Sequence, residues 1–180
     1  MGAPAFRGTT VIAVRRGGRV AVGSDGQITF GEHAIKHTSR KVLRIHEGRV
    51  LAGFAGGAAD ALALLDKVEN HVREARGDLE RAAMGFAREW RTDRVLRQLQ
   101  AMILVADAQQ TFVFGGTGEV LRPDEDVVAI GSGGPVAHAA GLALLRHTDL
   151  GAEEIVREAL EIAGRLCIYT NNHITVETLE

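Results

Sequence analysis

The sequence predicts an α+β domain in which two antiparallel sheets are stacked and a pair of helices covers each outer side. Three observations predict it. Strand-like and helix-like stretches come in separate blocks (strands, two helices, strands, two helices), not in the alternation that builds a parallel sheet. Several strands are apolar on both faces, as in Val50-Leu51-Ala52, Ile103-Leu104-Val105-Ala106 and Val127-Val128-Ala129-Ile130, so they belong between other layers. At 180 residues and 46% hydrophobic, the chain can fill a core of that depth.

The elements follow in order. Thr10–Arg16, Arg19–Ser24, Lys41–Ile45 and Arg49–Ala55 are short, rich in Val, Ile and Ala, and bounded by glycine or polar turns. Gly17-Gly18 signals a hairpin, and Asp25-Gly26 and Glu47-Gly48 mark two more turns. From Ala58 to Glu74, Ala61, Leu62, Leu64, Leu65, Val68 and Val72 recur at helical spacing. Gly77 ends that helix and Asp78 caps the next. The second helix runs to about Leu99, with Leu79, Ala82, Ala83, Phe86, Trp90 and Leu96 on its buried face. Strands return at Met102–Ala106, Gln110–Phe114, Val120–Leu121 and Val127–Ile130, with Gly115-Gly116-Thr117-Gly118 as a turn. Helices at about Pro135–Arg146 and Ala152–Leu166 and a short strand at Ile174–Val176 complete one domain, residues 9–180.

Composition narrows the function. A net charge of −2 argues against nucleic acid or an anionic membrane as partner. No apolar run is long enough to span a bilayer, and Met1–Gly8 has no hydrophobic signal core. One cysteine excludes an internal disulfide framework, which fits a reducing cytoplasm. The seven histidines show no zinc-binding spacing, and the Gly-x-x-x-x-Gly-Lys-Ser/Thr pattern for nucleotide phosphates is absent. Arg73, Arg76, Arg81, Arg88, Arg91, Arg94 and Arg97, mixed with acidic residues, read as exposed helix faces or subunit contacts. Cys167, Trp90 and Tyr169 read as packing.

Chemistry enters at Gly8-Thr9-Thr10, directly before the first strand. A threonine hydroxyl is a poor nucleophile unless a base lies beside it. Cleavage between Gly8 and Thr9 would give Thr9 a free α-amine, whose pKa of ~7.7–8.0 suits it to take the hydroxyl proton. Residues 1–8 would then be a propeptide removed autocatalytically; the alternative is an N-terminal tail leading into a strand. Such a nucleophile needs a cation, a group to hold it, and donors for an oxyanion. Lys41 and Asp25 end up near Thr9 if their strands flank the first; they also read as a surface salt bridge, and Arg40 competes as the cation. Gly53-Phe54-Ala55-Gly56-Gly57 joins a strand to a helix, so its N–H groups suit an oxyanion, or it is only a tight turn. Gly53 also reads as leaving room for a large apolar side chain in a pocket. Gly131-Ser132-Gly133-Gly134-Pro135 repeats the strand-to-helix device, with Ser132 read as a partner of the Thr9 amine, a helix cap or part of a weak phosphate loop.

In combination, Gly8-Thr9-Thr10, Ser24-Asp25-Gly26-Gln27, Arg40-Lys41-Val42, Gly53-Phe54-Ala55-Gly56-Gly57, Trp90-Arg91-Thr92-Asp93, Ile130-Gly131-Ser132-Gly133-Gly134 and Cys167-Ile168-Tyr169-Thr170-Asn171 resemble the HslV (ClpQ) family, bacterial proteasome-like threonine peptidases. The resemblance runs from Thr9 almost to the C-terminus. It implies a four-layer αββα N-terminal-nucleophile hydrolase fold, like a proteasome β-subunit. It implies Thr9 as nucleophile, Lys41 and Asp25 as its charge partners, Ser132 near the amine, and an oxyanion hole or substrate contact at Gly53, Ala55 and Gly56. It further implies a sodium ion on the backbone carbonyls of Gly164, Cys167 and Thr170, and no nucleotide on this chain. The partners implied are HslU (ClpY), an AAA+ ATPase hexamer that delivers unfolded protein, and further copies of this chain in two stacked hexameric rings. Some members carry only the initiator Met before the threonine, so Met1–Gly8 here requires proteolytic processing. Two other functions compete: a small-molecule amidohydrolase of the same nucleophile class, and a ring subunit without catalysis.

Overall fold

The computed structural model of the protein describes residues 6–7, 9–115 and 118–180. Gly8, most of the expected propeptide, and the centre of the turn at Gly116-Thr117 lie outside the described residues. Two large antiparallel sheets face each other. One has the order β10 (Glu119–Leu121), β9 (Thr111–Gly115), β8 (Ala101–Ala106), β7 (Val50–Gly56), β6 (Val42–Ile45). The other has the order β11 (Val127–Gly131), β2 (Thr10–Arg16), β3 (Arg19–Ser24), β12 (Thr175–Leu179).

The doubly apolar strands are the reason for the layering. In β2, Val11 and Ala13 enter the core between the sheets, whereas Ile12 and Val14 point to the helices outside. In β7 and β8, Leu51, Ala55, Leu104 and Ala106 take the inner face, and Val50, Ala52, Ile103 and Val105 the outer. The period of two thus serves two cores from one strand. Helices α1 (Ala58–Glu74) and α2 (Leu79–Thr92) close one outer face, where Phe86 of α2 meets Trp90 at a tilt and the β9 residue Phe114 edge-on. Helices α3 (Gly134–His147) and α4 (Ala152–Leu166) close the other. This is the αββα arrangement expected.

Several details differ. The second helix stops at Thr92, because Asp93 turns extended and its carboxylate accepts from the N–H groups of Val95 and Leu96, starting a separate 3₁₀ turn at Leu96–Gln98. Leu62 is exposed: Ala61, Leu64, Leu65, Val68 and Val72 lie at helical spacing from one another, and Leu62 lies off that stripe. Cys167 is half-exposed at the end of α4, so it is not a core residue. The closing strand runs over Thr175–Leu179, three residues beyond the expected end, paired with β3. A small third sheet has the order β1 (Phe6–Arg7), β4 (Ile28–Phe30), β5 (His33–Lys36). Its strands are short and β5 is exposed throughout, so no burial pattern betrays them in the sequence.

Candidate active site

Thr9 lies immediately before β2 and is buried. Its carbonyl accepts from Ser132 N–H at 2.9 Å. Gly131 closes over it: this residue has φ +92°, and a Cβ there would strike the Thr9 carbonyl oxygen. Only glycine fits both demands. The next residue, Thr10, accepts from Gly133 N–H at 3.0 Å through its hydroxyl, which also shares a 2.8 Å hydrogen bond with the Thr170 hydroxyl. The start of β2 is thus tied to the β11–α3 turn and to the chain after α4.

The pairing of β2 with β3 sets Val11 opposite Ser24, which brings Asp25 beside Thr10. Asp25 is fully buried and its carboxylate is densely engaged. Oδ1 accepts from Thr10 N–H at 2.8 Å and from Lys41 Nζ at 3.1 Å. Oδ2 accepts from Gln27 N–H at 2.9 Å and Asn171 N–H at 3.2 Å. Lys41 sits just ahead of β6, its carbonyl accepting from Phe54 N–H, and its Nζ also donates to the Gln27 carbonyl at 2.6 Å. One carboxylate oxygen therefore holds both the backbone next to Thr9 and the lysine.

At 1% exposure for Lys41 and 0% for Asp25, this is no surface salt bridge. Burial lowers the pKa of Lys41 below the ordinary lysine range, with Asp25 opposing that shift. Arg40 is excluded as the cation, since it is exposed and lies 3.6 Å from Glu177.

The glycine segment divides into different roles. Gly53 does not leave room for a ligand: a Cβ there would lie 2.5 Å from Val11 Cγ1, so its missing side chain lets the two sheets approach. Ala55 is buried at the inter-sheet core. Gly56 ends β7 with φ +115°. Phe54 N–H points to Lys41, and strand alternation turns Gly56 N–H to the same side, beyond the end of β6. Ser132 is exposed at the rim of the site.

Gly164 lies in the last turn of α4, Cys167 caps that helix, and Thr170 is buried just after it. Cys167 and Thr170 bracket the turn that follows the helix, with Thr170 N–H donating to the Cys167 carbonyl at 3.1 Å. Among the described residues no group of three or more His, Cys, Asp or Glu side chains is placed to hold a metal. No helix among them is long and apolar enough to cross a membrane.

Sequence reasoning gave no individual role to Gln27, Gly131 or Asn171. Each stood inside a quoted motif, but its contacts join segments far apart in the chain.

A family profile described as proteasome subunit matches residues 5–179. The chain is 55% identical over 175 residues to the ATP-dependent protease subunit HslV of Caldanaerobacter subterraneus subsp. tengcongensis, covering 97% of this chain and 99% of that protein. The chain belongs to the HslV family. An HslV protein of Thermosipho africanus is likewise 55% identical over 174 residues, with 97% and 99% covered. The crystal structure of the eukaryotic HslV from Trypanosoma brucei superposes with a TM-score of 0.90 at 43% identity, covering 95% of this chain and 99% of that one. The BPH protein of Thiobacillus denitrificans, 22% identical with a TM-score of 0.71, covers 95% of this chain and 97% of its own and shares the fold. The HslV fold is thus this chain's fold, with the buried lysine–aspartate pair at the head of β2.

Proposed function

We propose that the chain is the proteolytic subunit of an ATP-dependent protease, a threonine endopeptidase whose nucleophile is Thr9 after cleavage of the Gly8–Thr9 bond. Its HslV relatives are named as ATP-dependent protease subunits. The observation that carries the assignment is the Asp25 carboxylate, which joins Thr10 N–H and Lys41 Nζ within one residue of Thr9.

The chemistry follows from these groups. The free amine of Thr9 takes the proton of its own hydroxyl, and the Lys41 ammonium stabilises the forming alkoxide. Thr9 Oγ attacks a peptide carbonyl, and the negative charge on the carbonyl oxygen is met by backbone N–H, for which Gly56 has the favourable direction. The amine returns the proton to the leaving amine. Water activated by the same amine then hydrolyses the ester. Self-cleavage uses a related geometry. Phe6 pairs with Phe30 and Arg7 with Thr29, so the chain leading to Thr9 lies as an edge strand on β4.

The Gly164, Cys167 and Thr170 carbonyls suit a hard monovalent cation: Gly164 and the cap Cys167 stand at the negative end of the α4 dipole, where the final carbonyls lack intrahelical partners, and Thr170 follows in the next turn. A Cβ at Gly164 would strike Asn172, so the turn closes tightly there. Bound sodium would supply charge that braces this turn. We assign as partners a hexameric AAA+ ring ATPase of the HslU type, which feeds unfolded protein, and copies of this chain in two stacked hexameric rings in the cytoplasm.

Intact mass of the wild-type protein beside Thr9→Ala tests the assignment. Wild type is expected to lack residues 1–8, and the variant to retain them and show no peptide hydrolysis with its ATPase partner and ATP. A variant that hydrolyses peptide at the wild-type rate rules out Thr9.

A further inference from the structure

We propose that Asn171 is a positioning residue: it holds Lys41 against Asp25 by clamping the loop that precedes Lys41 onto the turn that follows Asp25. The proposal rests on the threonine-peptidase reading above.

Lys41 itself is buried, but it stands at the end of an exposed excursion. Residues 32–38 are all exposed, and so is Arg40. Apolar burial therefore does not hold this loop, and specific hydrogen bonds must. Ser39 N–H donates to the Gly26 carbonyl at 2.9 Å. Asn171 Nδ2 donates to the His37 carbonyl at 3.0 Å. The two segments lie flush, since a Cβ on Gly26 would strike the His37 carbonyl oxygen.

The other end of the Asn171 amide faces the Asp25 side. Oδ1 accepts from Gly26 N–H at 3.1 Å and from His173 N–H at 3.1 Å. Its backbone N–H donates to Asp25 Oδ2 at 3.2 Å. Two N–H donors meet one end of the amide and a carbonyl meets the other, so its orientation is fixed by its partners. One residue thus touches the carboxylate, the turn behind it and the loop in front of the lysine. No side chain with only donors or only acceptors does this. A loop released from the clamp leaves Lys41 free to drift, and small displacements of a charged group from the reacting atoms cost much rate.

The test uses Asn171→Ala and Asn171→Asp in the full chain, assayed for peptide hydrolysis with the ATPase partner and ATP, with melting temperature and intact mass alongside. Asn171→Asp keeps the acceptor arm toward Gly26 and loses the donor arm toward His37, so it decides the matter if the alanine variant does not fold. The expected result is a fall in kcat of about 10–100-fold with KM within about twofold of wild type. Wild-type kcat in Asn171→Asp overturns the proposal. So does a loss in which KM rises in step with the fall in kcat, because a clamp acting on Lys41 leaves substrate binding alone. A wild-type protein that neither loses residues 1–8 nor hydrolyses peptide overturns the underlying reading and this one together, whereas an active wild type beside an unimpaired variant overturns this one only.

Discussion

Replacing Lys41 by methionine removes a buried charge and keeps most of the stem that packs around it. The structure sets the size of the effect. Breaking a buried ion pair by deleting one partner costs about 3–5 kcal/mol, because the other charge is left uncompensated. Asp25 keeps three backbone donors, the N–H groups of Thr10, Gln27 and Asn171, so the loss falls at the lower end, about 3 kcal/mol. In a domain of this size that corresponds to a fall in melting temperature of about 6–12 °C. The kinetic effect is larger. Without the ammonium the Thr9 alkoxide loses the positive charge assigned to stabilise it, and turnover should fall at least about 10³-fold. Calorimetry reads the first quantity and single-turnover peptide hydrolysis the second, with Arg40→Ala as control. Arg40 is adjacent in sequence but exposed, so its removal should leave turnover within about twofold and stability within about 1 kcal/mol. Turnover of Lys41→Met within tenfold of wild type, or an equal loss in Arg40→Ala, would refute the assignment of Lys41.

Two further outcomes follow from the packing. Gly53→Ala forces a methyl against Val11 between the sheets and should cost about 1–3 kcal/mol by thermal unfolding; an unchanged melting temperature would mean the sheets part easily. Glu89 has its pKa lowered first by the hydrogen bond from Lys67 and then by that from His71. A depressed carboxylate stabilises above its ordinary value of 4.5 and loses that contribution as pH falls through its lowered pKa. Melting temperatures of wild type and Glu89→Gln should therefore differ at pH 7, by about 2–3 °C at most for so exposed a pair, and converge in acid; a gap that widens in acid has the wrong sign.

The layered fold was legible because its signals are local and repeated. Val11 through Val14, or Leu51 with Ala52, carry apolar side chains on both faces, and such strands need cover on both sides. The small sheet was not legible, since His33–Lys36 is exposed and gains its order from β4 and not from a core. The end of α2 was missed for a related reason: Asp93 ends the helix by accepting from Val95 and Leu96, a local hydrogen-bond choice that the apolar spacing continuing to Leu96 conceals.

For the site, the sequence by itself supplied the inventory: the threonine before a strand, the lysine, the aspartate and the glycine turns. It also supplied the family motifs that put them in order. Only the tertiary structure decided that Lys41 and not Arg40 turns inward, that Gly53 serves sheet packing, and that Asn171 bridges Gly26 and His37. The physical reason is the range of the interactions. Period and propensity are written within a few residues, whereas Asp25 gathers donors from Thr10, Lys41 and Asn171, which become neighbours only when β2, β3, the chain ahead of β6 and the chain after α4 close around it.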